Sequence, residues 1–173
     1  MVQRTAAILP DLYEADETAW LDAMAELVQQ GRFAEIDYAH LGEYLADMAR
    51  RDRKEVESRL VVLLAHLLKW AHQTARRTRS WRGRIVAQRQ ELNIELGRGV
   101  LRNHAECVLD RAYSRAVEVA AAETGMSAEA FPKRCPYSLE QLLSADILIE
   151  SERTAPETEE REKNTRRRRK GAR

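Results

Sequence analysis

The sequence predicts an all-α protein, a single helical bundle of about five main helices around a central apolar one. Three observations predict it. Breakers are scarce, with 7 glycines and 4 prolines in 173 residues, whereas Ala, Leu, Glu and Arg abound, and these residues suit helix interiors. Apolar residues recur every three or four positions rather than alternating. The stretch Leu60 to Leu68 is apolar on nearly every side, as a helix enclosed by others must be.

The elements follow in order. Asp16 is placed to cap a first helix carrying Trp20, Met24, Leu27 and Val28 on one stripe, with Gly31 as its stop. Asp37 caps a second, with Tyr38, Leu41, Leu45 and Met48 on its inner face. The polar run RRDRKE suggests a break at Asp52. The third and central helix shows Val56, Leu60, Leu63, Leu64, Leu67 and Ala71 on one face, widened by Val61, Leu68 and Trp70. Ser80 is read as the cap of a fourth, whose stripe is Trp81, Ile85, Gln88, Leu92 and Leu96 before Gly97 and Gly99. The fifth runs from about Val100 to Glu123 with Leu101, Ala105, Val108, Ala112, Ala116 and Val119 inward, ending at Gly125. Ser127 caps a single turn, and Ser138 with Gln141 forms a capping box for a short last helix through Leu143.

A chain with 44% hydrophobic and 33% charged residues can bury one real core. The expected organisation is a bundle over residues 1–150 and a charged tail over 151–173 with no large apolar side chain, which favours disorder. The apolar run Leu60 to Leu68, interrupted by His66, falls short of the roughly 20 residues a membrane helix needs. With no secretory apolar stretch at the N-terminus, the expected location is cytoplasmic, without a membrane partner. Cys107 and Cys135 lack paired ligand spacing and are expected to stay reduced as small buried side chains. Charge is segregated: Asp11 to Glu57 holds thirteen acidic residues against five basic, and Lys69 to Arg102 nine basic against two acidic.

The segments YEADETAW, GRFAEID, HLLKW, RSW, IVAQRQEL and FPKRCPYSLEQLL together resemble the bacterial family DUF29, helical proteins of unknown function especially frequent in cyanobacteria. The similarity runs from about Leu12 to Asp146. The resemblance implies a compact helical fold and brings no accepted activity, cofactor or catalytic residue. Family members often carry a glycine in the segment that reads DMARRDR here, where Ala49 stands instead; its absence argues for a continuous helix rather than the break at Asp52.

Chemistry is sparsely signalled. A di-iron bundle would need two Glu-x-x-His pairs, but His40, His66, His72 and His104 are preceded at that spacing by Asp37, Leu63, Lys69 and Leu101. His104 and Cys107 share a helix flank with too few neighbours to complete four metal ligands. His66 edges the central helix without a nucleophile to activate, so a hydrogen-bonded core histidine is the simpler reading. GRGV, from Gly97, lacks the phosphate-loop pattern. An enzyme is therefore not the expectation, and no cofactor or metal is implied; His66, His104 and Cys107 stay as unassigned candidates.

Arg76, Arg77, Arg79, Arg82 and Arg89 cluster beside Trp70 and Trp81. Since Trp81 is in register with Ile85, Leu92 and Leu96, it is read as core. The arginines are read as ion-pair partners for the acidic first half, including Glu43 and Asp47. The alternative is a phosphate-binding surface, joined by the tail run Arg166, Arg167, Arg168, Arg169 and Lys170. Two functions follow: a non-enzymatic interaction or adaptor module for a protein partner or for itself, or else a weak, electrostatic nucleic-acid binder using the tail and these arginines.

Overall fold

Seven α-helices are present among the described residues of the computed structural model, which are 9–97 and 99–153, and no strand. They are α1 (Leu9–Ala15), α2 (Glu17–Gln29), α3 (Tyr38–His72), α4 (Arg79–Leu96), α5 (Gly99–Thr124), α6 (Leu139–Leu143) and α7 (Ile147–Arg153). The protein is all-α, and no helix among the described residues is long and apolar enough to cross a membrane. Where composition suggests one globular unit, the chain divides into two compact ones, up to Arg51 and from Asp52, the boundary falling inside α3. The basic run Arg166 to Lys170 and most of the expected tail lie outside the described residues.

In the first unit, Asp16 caps α2 by accepting the Ala19 N–H at 3.0 Å, and Gly31, at φ 69°, turns the chain out of it. Trp20, Met24 and Leu27 are buried with Leu9, and the Tyr13 ring meets the Trp20 indole edge-on at 4.8 Å. Val28, expected on that stripe, is exposed. Arg32 holds the buried Glu35 through two contacts, 2.7 and 2.5 Å, and the Arg32 hydrogen bond keeps that carboxyl below the usual range despite its burial. Asp37 accepts the His40 N–H at the start of α3.

α3 continues without interruption for 35 residues, which corrects the break expected at Asp52. Nothing in RRDRKE forces the backbone out of helical geometry, and i,i+3 and i,i+4 pairs, Arg50 with Asp47 at 2.8 Å and Arg59 with Glu55 at 2.6 Å, support the polar stretch. A second correction concerns the first part of α3. Tyr38, Leu45 and Met48, expected inside, are exposed, while Leu41 and Tyr44 pack on the Trp20 cluster.

The second unit is built around the apolar half of α3. Val56, Leu60, Leu63, Leu64, Leu67 and Leu68 are buried there, as the all-round apolar pattern requires. Ile85, Leu92 and Leu96 of α4 and Ala105, Val108, Ala112, Tyr113, Ala116 and Ala120 of α5 belong to the same core, the alanines allowing close helix approach. Val119, expected inward, is exposed. Gly125, at φ 71°, ends α5. The Tyr113 hydroxyl donates to the Pro132 carbonyl at 2.7 Å, tying the connector to α5.

The box at Ser138 and Gln141 forms as expected, with both reciprocal hydrogen bonds, 2.8 and 3.2 Å. α7 runs past the expected end of the bundle, and Ser151 is fully buried, its hydroxyl donating to the Leu148 carbonyl at 2.8 Å. A small polar side chain with a local acceptor is buried at little cost, a possibility that scanning for large apolar residues overlooks.

Candidate functional site

A group of unpaired arginines among the described residues lies where α3 gives way to α4. α3 ends at His72, the chain makes a 3-10 turn over Thr74–Arg76, and Thr78 caps α4 by accepting the Trp81 N–H at 3.2 Å. Ser80, expected as the cap, sits inside the first turn instead. Thr78 is extended, as an N-cap must be, and its side chain lies three positions before the Trp81 N–H it satisfies.

Two cations of this region are used internally. Arg77 donates from Nε to the Trp70 carbonyl at 2.8 Å, and its guanidinium lies 4.9 Å above the Trp70 ring. It thus satisfies a carbonyl in the last turn of α3 and covers an aromatic face. Lys69 is buried, with Nζ against Glu123 of α5 and 5.1 Å over the Trp81 ring. Trp81 is half-buried rather than core, because the first turn of α4 lies at the rim of the unit while Ile85, one turn later, reaches the interior.

Four other arginines, Arg76, Arg79, Arg82 and Arg84, are exposed, and Arg89 is half-buried. Among the described residues none of these five side chains makes an ion pair or hydrogen bond, whereas Arg32, Arg50, Arg59, Arg102, Arg111 and Arg115 are all paired. Among the described residues of the second unit, no acidic side chain forms an ion pair with the cluster. Asp47 is answered on its own helix by Arg50 and Glu35 by Arg32, and neighbours three residues away reach a carboxylate at little entropic cost. The first turn of α4 carries no acidic residue. Arg79 and Arg82 therefore stand at the positive end of an 18-residue helix dipole, an arrangement that opposes folding and raises the local positive potential.

The remaining candidates separate from this surface. His66 donates from Nδ1 to the Val62 carbonyl at 2.9 Å, and burial holds its imidazole below the ordinary histidine value. His104 has a buried Nε2 without a partner among the described residues. Cys107 is exposed rather than buried, on the side of α5 opposite the Ala105, Val108 and Ala112 stripe. Cys135 is half-buried; its thiol donates to the Tyr137 carbonyl at 3.3 Å and burial pushes it up to about 11. Among the described residues no three His, Cys, Asp or Glu side chains gather as metal ligands.

Three polar groupings escape a reading of the sequence alone. Glu57 receives Arg111 at 2.6 and 3.1 Å and Arg115 at 2.9 Å, and the Arg111 guanidinium above all keeps its carboxyl below the usual range. Arg59 reaches from Glu55 to Glu95 of α4, its Nε 2.6 Å from Oε1; burial nevertheless raises the Glu95 carboxyl. Asp37 Oδ2 lies 2.6 Å from His40 Nδ1, with the Tyr13 ring 4.5 Å from the imidazole. Burial pushes the Asp37 carboxyl up, and its hydrogen bonds to His40 more than reverse this. The only advance signal for the last was the Asp-x-x-His spacing, which reads equally as a helix cap.

No curated protein and no solved structure matches the chain. The family model described as Domain of unknown function DUF29 matches residues 12–148, which take in α2 to α6 and every candidate residue outside the tail. The chain belongs to the DUF29 family.

Proposed function

We propose that the protein is a non-enzymatic helical interaction module that holds an acidic protein partner on its arginine shoulder, Arg76, Arg79, Arg82, Arg84 and Arg89. One observation carries this reading: those five guanidiniums have no carboxylate partner among the described residues, while six others on the same chain do. A guanidinium presents a rigid fork of donors matched to a carboxylate, and a cluster of them speeds encounter with an acidic surface.

A second reading, a nucleic-acid backbone on the same shoulder, draws support from the density of unpaired arginine. It ranks second because each neighbouring tryptophan already has a cation on one ring face, Arg77 over Trp70 and Lys69 over Trp81. A polynucleotide would gain phosphate contacts there but little base stacking.

Fluorescence anisotropy separates the two, using a labelled Glu/Asp-rich peptide and labelled mixed-sequence DNA and RNA at low and physiological salt. The acidic peptide is expected to bind more tightly than a nucleic acid of equal charge, with affinity falling as salt rises. Changing Arg79, Arg82 and Arg84 together to Gln should abolish most of that binding. No binding by either class, or binding indifferent to the triple change, refutes the proposal.

A further inference from the structure

We propose that Arg77 is a positioning residue for the arginine shoulder: it clamps the turn before α4 onto α3 and so holds Arg76, Arg79 and Arg82 ready for the partner without touching it. The inference rests on the shoulder reading and adds the group that prepares the site.

The shoulder has no apolar anchor of its own. From His72 to Arg84 no residue is buried, although Ala71 before that stretch and Ile85 after it lie in the interior. Arg76, Arg79, Arg82 and Arg84 all fall within it. A segment without buried apolar contacts opens easily, and closely spaced guanidiniums repel one another. The backbone contributes little. In the 3-10 turn the Arg76 N–H donates to the Gln73 carbonyl at 2.9 Å, but the Arg77 N–H reaches the Thr74 carbonyl at 3.4 Å, longer than a good hydrogen bond.

Arg77 supplies the anchor. Its backbone is extended, at φ −57° and ψ 126°, and leads directly into Thr78, the cap of α4. Its side chain returns to α3, where Nε donates to the Trp70 carbonyl at 2.8 Å and the guanidinium lies 4.9 Å over the Trp70 ring. That carbonyl belongs to the last turn of α3, where helix geometry leaves acceptors open. One side chain thus fixes where α4 begins relative to where α3 ends. Lys69, 5.1 Å over the Trp81 ring, ties the first turn of α4 to α3 as well.

The clamp requires arginine. A planar guanidinium can lay its face on an indole while Nε donates in its own plane, whereas a lysine ammonium is a point charge on a flexible stem and cannot do both. Charge and position are therefore separable: Arg77→Lys keeps the charge of the stretch and loses the clamp. Without the clamp the segment populates other conformations, and the apparent affinity falls with the fraction that remains in the binding arrangement. An arginine that touches the partner also contributes to the salt dependence of binding, while a residue that only holds others leaves that dependence unchanged.

Anisotropy of the labelled Glu/Asp-rich peptide against salt, with the full chain, tests this together with amide hydrogen exchange followed by NMR. Arg77→Lys should weaken binding by roughly fivefold, with the wild-type slope of log Kd against log salt and an intact circular dichroism spectrum. Arg82→Gln should weaken binding and flatten that slope. In Arg77→Lys, exchange should quicken at the Arg76 and Arg82 amides, which donate to the Gln73 and Thr78 carbonyls. Unchanged exchange overturns the proposal, as does a flatter salt slope for Arg77→Lys. If the wild-type chain fails to bind the peptide, the shoulder reading falls and this inference with it. If the wild type binds and Arg77→Lys binds equally well, the clamp has no role and the shoulder reading stands.

Discussion

Replacing Glu123 with alanine removes the carboxylate that meets Lys69, and the structure indicates what that costs. Lys69 is 4% exposed, so its ammonium has little access to water once the partner is gone. Stripping one member from a fully buried pair costs about 3–5 kcal/mol. Glu123 is itself half-exposed, with 49% of its side chain in solvent, so water can enter from its side and the figure falls. The Trp81 ring, 5.1 Å from Nζ, continues to stabilise the cation by roughly 0.5–2 kcal/mol. The net expectation is a loss of about 2 kcal/mol.

Lys69→Met removes the charge while keeping most of the volume and should change stability by less than about 1 kcal/mol, in either direction. Urea unfolding followed by far-ultraviolet circular dichroism reads both: at a slope of about 2 kcal/mol/M, the Glu123→Ala midpoint falls by about 1 M. The reasoning is refuted if Glu123→Ala is neutral, or if Lys69→Met costs more than Glu123→Ala.

Other outcomes follow from the same geometry. Burial holds His66 and His72 below the ordinary histidine value, so the unfolded chain binds more protons than the folded one just below pH 6.5. Stability is then highest above about pH 7 and declines as pH falls through 6.5 toward the lower folded values, until both states are protonated. Urea midpoints between pH 8 and 5 should show that decline, and changing both histidines to Gln should flatten it; an unchanged slope argues against the buried neutral imidazoles. Tyr113→Phe leaves the Pro132 carbonyl without its 2.7 Å donor and should cost about 1–2 kcal/mol, read from the same urea curves. Of the two thiols, exposed Cys107 should react quickly with Ellman's reagent in the native protein, while Cys135, half-buried and raised to about 11, should react only slowly until urea unfolds it. Equal rates would contradict the burial of Cys135.

Caps and stops were the most legible parts of the fold, because Asp16, Gly31, Gly125 and Ser138 act on backbone groups within three or four residues. Apolar periodicity located the core of the second unit but misjudged Leu45 and Met48. A stripe identifies residues that share a side; whether anything in the same chain covers that side depends on partners distant in sequence. Trp81 shows the related error, since register with Ile85 does not say how far the core extends toward a helix end.

Part of the charge pattern is satisfied locally. Segregated acidic and basic blocks suggested pairing between them, but Asp47, Glu35 and Glu55 are answered by arginines three or four positions away, and the arginines of the shoulder are left over. Those arginines were named from the sequence; that they lack partners could only be found in three dimensions. Arg84 joins them, and Arg77 leaves them for a structural role at Trp70.

The central claim is most directly tested with the full chain carrying Arg166 to Lys170 changed to Gln, which removes the tail's contribution and leaves the shoulder intact. Anisotropy of a labelled acidic peptide is followed against salt for this chain, and again after Arg79, Arg82 and Arg84 are also changed to Gln. The account predicts that the tail-neutralised chain still binds, more weakly at higher salt, and that the further change removes the binding. Loss of binding on neutralising the tail alone, or binding that persists without the three arginines, contradicts it.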